Sequence, residues 1–164
     1  MTDAPMFTPF TLRGMTLKNR LAMSPMCQYS AEDGTANDWH LVHLGSRAMG
    51  GTGLIITEMT DISPEGRISE GCAGMYKPEH VAAWKRVVDF VHSQSDAKIA
   101  IQLAHAGRKA SCMFAWEGGG PLPAERAWEI IAPSAIPFSA DSQTPREMNR
   151  AEMDRLIEAF AQGT

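Results

Sequence analysis

Three short apolar runs, each trailed by a helical pattern, constrain this chain more than any other feature. The runs are Arg20-Leu21-Ala22-Met23, Gly53-Leu54-Ile55-Ile56-Thr57 and Lys98-Ile99-Ala100-Ile101-Gln102-Leu103. The second and third are almost continuously apolar. Strands buried on both faces of a helix-covered parallel sheet have this pattern. The spacing predicts a helix from Asn37 to Met49, with Leu41, Leu44 and Ala48 on one face and Gly50-Gly51 as its stop. A second helix is predicted from Pro78 to Gln94. Pro78 suits the first turn, Glu79 the positive helix end, and Val81, Trp84, Val88 and Val91 form its apolar stripe. A third is predicted from Asn149 to Gln162, opened by a capping-box variant of Asn149 and Glu152, with Met153, Leu156, Ile157 and Phe160 as its buried face.

The order β-α-β-α-β-α implies right-handed crossovers and a parallel sheet. Phe7 to Asn19, with Gly14 in the middle, reads as a hairpin ahead of the first core strand. Two architectures fit: an open doubly wound sheet, or part of a (β/α)₈ barrel, whose full form needs about 250 residues. Three βα units in 164 residues cannot close that barrel, so on the barrel reading the chain is an incomplete domain.

Composition narrows the partners. A net charge of −4 disfavours nucleic acid and anionic membrane. No apolar run approaches the roughly 20 residues of a membrane-spanning helix, and Met1 to Phe10 lacks the basic-then-apolar pattern of a signal peptide. The three cysteines, Cys27, Cys72 and Cys112, form no C-x-x-C pair, which points to a reducing compartment and a cytoplasmic location.

Ligands bind at the carboxyl ends of parallel strands in both architectures. After the first run come Ser24-Pro25-Met26-Cys27-Gln28-Tyr29, after the second Glu58-Met59-Thr60, and in or after the third Gln102 and His105-Ala106-Gly107-Arg108-Lys109. Each has an ordinary structural alternative. Cys27 suits a small core position, and Pro25 suits a strand end. Gln102, read as a buried amide, needs a partner that backbone could supply, and His105 with Arg108 could be a structural pair. Taken together at one sheet edge, they are read as a site. Other motifs carry less. His40-x-x-His43 lacks a third ligand at recognisable spacing, so no metal site is expected. Gly50-Gly51-Thr52-Gly53 precedes a strand, the reverse of a phosphate loop. Gly118-Gly119-Gly120 reads as a flexible loop, and no serine nucleophile elbow is present.

The stretches Leu17-Lys18-Asn19-Arg20, Ser24-Pro25-Met26-Cys27 with Tyr29, Gly53 to Glu58, Ser63-Pro64-Glu65-Gly66-Arg67, Gln102-Leu103-Ala104-His105-Ala106-Gly107-Arg108-Lys109 and Ala132-Pro133-Ser134-Ala135-Ile136 resemble, in order, the N-terminal portion of the old yellow enzyme family. Cys27 resembles the bacterial branch of NADPH dehydrogenases and xenobiotic reductases. The insertion bearing Trp116 and Trp128 is most similar to the latter.

The resemblance implies an α/β fold. Residues 1–164 would form the N-terminal part of one FMN-binding (β/α)₈ TIM-barrel domain: a hairpin and about the first three βα units. It implies an FMN-dependent oxidoreductase that takes hydride from NADPH or NADH and delivers it through flavin to a small α,β-unsaturated substrate. By carry-over, Ser24, Pro25, Met26, Cys27, Met59 and Gln102 line the flavin, Cys27 tunes it as thiol or thiolate, and Tyr29 touches substrate. Cys27 and Tyr29 are the catalytic candidates, and His105 and Arg108 support the site. The family's carbonyl-binding histidine pair, proton-delivering tyrosine, flavin-contacting arginine and phosphate loops would lie beyond Thr164. This leaves a silent fragment or complementing partner as the alternative, and a piece of a larger fusion as a third reading. The intact protein could be a homo-oligomer. Ser111 to Pro145 is expected to cover the flavin and shape the substrate pocket, and the third strand is expected to expose an unpaired edge.

Overall fold

The computed structural model describes residues 4–164. Residues 1–3, the start of the segment read above as lacking a leader, lie outside the described residues. The first elements are the hairpin strands β1, Phe10–Leu12, and β2, Met15–Leu17, paired antiparallel with Phe10 opposite Leu17. Their tight turn holds Arg13 at φ 53°, a left-handed value suited to hairpin twist.

The central sheet is parallel. Strand β3, Ala22–Met23, is shorter than the apolar run implied and pairs with the start of β4, Leu54–Asp61. Strand β4 runs through Glu58, Met59 and Thr60, which the sequence reading placed beyond it. Strand β5, Ala73–Gly74, pairs with the end of β4, and β6, Lys98–Ala104, pairs along most of β4. A second small parallel pair joins β7, Ile131–Ala132, to β8, Arg146–Glu147.

Helix α1, Asp38–Met49, starts at Asn37, whose side chain accepts the Trp39 N–H at 3.0 Å while its own N–H donates to His40 Nδ1 at 3.1 Å. It stops at Gly50 and Gly51, the latter at φ 101°. Helix α2, Pro78–Gln94, matches the predicted bounds, but its buried stripe is His80, Trp84, Val87 and Val91. Val81 is exposed and Val88 only half-buried, because the face turned towards α1 is centred on Trp84, Val87 and Val91. Trp84, Val87 and Val91 pack with Leu44 and Ala48 of α1 over Met23 and Ile55 of the sheet. Each of the larger aliphatic side chains among them contributes about 1.5–3 kcal/mol by leaving water. Trp84 Nε1 donates to the Gly74 carbonyl at 3.2 Å, so its polar edge is satisfied in the core.

Two burial expectations fail. Strand β6 alternates between exposed and half-buried positions instead of being buried on both faces, since α2 approaches one side only and no strand pairs with its outer edge among the described residues. Helix α3, Arg150–Gln162, has the expected capping box (Glu152 N–H to Asn149 Oδ1 at 3.0 Å, Asn149 N–H to Glu152 Oε2 at 2.9 Å), yet none of its residues is buried. Ile157, assigned to the buried face, is 65% exposed. The segment from Ser111 to Pro145 is anchored by buried residues, among them Ser111, Leu122, Ile130, Ile131, Ala132 and Pro145. Among the described residues no helix is long and apolar enough to cross a membrane.

Candidate functional site

The carboxyl end of the sheet gathers several of the residues singled out by sequence. The register between β4 and β6 shifts between Ile56 and Met59. Bulges re-aim side chains and free backbone groups. Here the Gln102 N–H donates to Thr57 Oγ1 at 3.3 Å, and the Thr57 and Thr60 hydroxyls both donate to the Glu58 carbonyl, at 3.1 and 2.9 Å. The shift makes Met59 the direct neighbour of Gln102 across the two strands. Gln102 is exposed, not buried as expected, because β6 is an open edge. Its side-chain amide has no partner among the described residues.

Cys27 reaches the same place from the loop after β3. Its thiol lies close to the Met59 backbone and the Tyr29 hydroxyl, both of which favour its ionised form. Burial, and secondarily the Glu58 carboxylate, push the thiol above its usual range. Burial also pushes the Tyr29 phenol up to about 12, with Cys27 and Cys72 adding to it. Both groups therefore keep their protons at neutral pH. Tyr29 sits at φ 51°, a strained value for a bulky residue. Gly71 accommodates it: a Cβ there would collide with the Tyr29 carbonyl oxygen and lie 2.9 Å from the Phe114 ring. Ser24 and Met26 are exposed and Pro25 half-buried in the same loop.

Beneath this loop lies a pair that the sequence reading missed. His40 Nε2 is 3.1 Å from Glu58 Oε1, with both side chains almost wholly buried. The other oxygen, Oε2, accepts the Gln28 N–H at 3.0 Å. Helix α1 is thus tied through β4 to the Cys27 loop. His40 had been weighed only with His43 as a metal ligand; its position as third residue of the helix was the available signal for a capping role. Asp61 was also missed. It ends β4, is fully buried, and neither carboxylate oxygen has a partner among the described residues. Burial pushes it up to about 8, against the opposing charge of Arg67.

His105 and Arg108 are not paired with each other. His105 Nδ1 accepts the Gly107 N–H at 3.0 Å, and Arg108 reaches Ser134 Oγ at 3.5 Å. Both lie in the turn after β6, apart from the Cys27, Met59 and Gln102 contacts.

Comparison with known proteins gives a consistent picture. The model of the NADH:flavin oxidoreductase / NADH oxidase family matches residues 5–164. An NADPH dehydrogenase of Geobacillus thermodenitrificans (strain NG80-2) is 46% identical over 160 residues, covering 96% of this chain and 43% of that protein. Among solved structures, morphinone reductase in complex with tetrahydroNAD aligns with a TM-score of 0.81 at 28% identity, over 98% of this chain and 45% of its own. The Old Yellow Enzyme from Pichia sp. AKU4542 aligns with a TM-score of 0.82 at 27% identity, over 98% and 42%. The chain thus spans less than half the length of the relatives it matches.

Proposed function

Because the chain belongs to the NADH:flavin oxidoreductase / NADH oxidase family, we propose that it forms the flavin-holding part of an FMN-dependent oxidoreductase acting on a small α,β-unsaturated substrate. One observation carries the reading. The free Gln102 amide stands beside Met59, whose backbone lies near Cys27, at the carboxyl end of a parallel sheet. A flat ring system with a polar edge fits this group of residues. Gln102 offers an uncommitted donor and acceptor, and the exposed loop of Ser24, Pro25 and Met26 offers backbone groups along a second side.

When bound, FMN supplies the hydride relay between NADPH or NADH and the β-carbon of an activated alkene. Gln102 holds and orients the polar edge. Cys27 presents a neutral S–H, so it tunes by polarisability and weak hydrogen bonding rather than by a full negative charge. Tyr29 keeps its hydroxyl proton and stands next to Cys27, where it can orient a substrate. His40 and Glu58 hold the loop by its Gln28 amide. The buried face of β4 excludes water from one side.

The test is retention. The purified chain is mixed with FMN, desalted, and its bound flavin is measured by absorbance and fluorescence. Retained flavin at near one per chain is the expected outcome, and complete loss from a folded chain would sink the reading. A second reading is that the chain holds cofactor without turnover and serves as a partner to further residues. The open outer edge of β6 and the exposed apolar face of α3 favour it. Flavin retention without NADPH oxidation is the outcome that would select it.

A further inference from the structure

An aromatic wall starts beside Cys27 and ends in solvent. The Tyr29 ring meets Phe114 and Trp116 edge-on, both at centroid distances of 6.0 Å, with interplanar angles of 67° and 70°. Phe114 and Trp116 lie nearly parallel, 8° apart with centroids 4.7 Å from each other. Phe114 covers one face of the indole, yet Trp116 remains 67% exposed.

This exposure is constructed. The segment turns on itself through Glu117 N–H to the Phe114 carbonyl at 3.0 Å, Gly119 N–H to the same oxygen at 3.1 Å, and Met113 N–H to the Gly120 carbonyl at 2.9 Å. Gly118, Gly119 and Gly120 take φ values of 105°, 68° and 82°, which other residues resist, so the turn is shaped for glycine. Arg126 fastens it from the side, 2.6 Å from Glu70 and 3.5 Å from Glu117. At its base, Gly71 admits the Tyr29 carbonyl and the Phe114 ring at close range. A strained Tyr29, three left-handed glycines and an anchored turn together present one bare indole face.

We propose that the Phe114–Trp116 stack is a recognition platform for planar, ring-bearing substrates and sets the selectivity of the site on the Tyr29 side. A flat conjugated ring continues the stack in the offset arrangement that aromatic quadrupoles favour, whereas a puckered ring of equal size gains only contact area. The stacking increment corresponds to roughly two- to tenfold in affinity. The proposal rests on the reading that Tyr29 faces substrate, but binding to the platform needs no flavin.

The test titrates the full chain with 2-naphthol and with decahydro-2-naphthol, its saturated counterpart, by calorimetry and by the indole N–H resonances. Trp116→Ala should weaken 2-naphthol up to about tenfold and the saturated alcohol less than about twofold, while Trp116→Phe should stay within about threefold of the parent. Equal losses for the two alcohols, identical behaviour of the Ala and Phe variants, or no binding by the parent would each overturn the platform. Flavin retention is measured on the same samples. Loss of flavin with selectivity intact would count against the flavin reading alone, and retained flavin with no ring selectivity would count against the platform alone.

Discussion

Asp61→Asn should remove a pH dependence that the fold imposes on its own stability. Asp61 is fully buried at the end of β4, both of its oxygens are unpartnered among the described residues, and burial raises it from 3.8 to about 8. Between these values the native carboxyl keeps a proton that the unfolded chain has released. The unfolded state then binds fewer protons, so stability falls as pH rises. The contribution is fully present below about pH 3.8 and gone above about pH 8. At pH 7 roughly three pH units of that interval have been crossed, and at about 1.36 kcal/mol each the loss is ~4 kcal/mol. Asparagine has nearly the same shape and cannot ionise. Its buried amide carries a cost of about 1–3 kcal/mol that does not vary with pH. Other groups around Asp61, namely Arg67, Glu58, Cys27, Cys72 and Tyr76, are common to both proteins. The assay is urea unfolding of parent and variant at half-unit steps from pH 4 to 8. The variant should gain on the parent progressively, by about 4 kcal/mol between the ends of the pH 4 to 7 window. Parallel stability curves would refute the claim that Asp61 is a neutral buried acid.

Gln102→Leu should weaken FMN retention by about tenfold, the value of one lost hydrogen-bonding edge, with the melting temperature unchanged because the exposed amide has no partner within the described chain; unaltered flavin affinity would remove Gln102 from the site. Cys27→Ala should shift the midpoint potential of bound flavin, read by dye equilibration, and an unchanged potential would count against the thiol's tuning role. His40→Ala should cost about 1–3 kcal/mol in urea unfolding, because the buried Glu58 carboxyl loses the imidazole 3.1 Å from its Oε1. Its double variant with Glu58→Gln should recover part of that loss, and no recovery would mean the histidine acts by packing alone.

Much of the fold was legible in local sequence. The bounds of α2, the capping box of α3 and the Gly50-Gly51 stop of α1 rest on contacts within four residues, so composition at those positions decides them. The hairpin at Gly14 is of the same kind. The site was legible as a list of strand-end residues, and the family followed from motifs spread along the whole chain. Their arrangement was not. The faces of β6 and α3 were misjudged because an apolar pattern reports what a segment could bury, while burial itself depends on what packs against it.

The sequence by itself determined the order of the three main strands and helices, the helix ends and the family, because these reside in local backbone preference and in residue identity; the two-residue strands β5, β7 and β8 were not legible in it. Only the tertiary structure decided that a bulge sets Met59 beside Gln102, that His40 closes on Glu58, that Asp61 is sealed from water, and that Trp116 stands bare against Phe114. The first two join residues separated by a register shift or a change of layer, and the other two depend on what packs, or does not pack, around one side chain. The energies involved are desolvation and pairing between groups that meet only after the chain has folded.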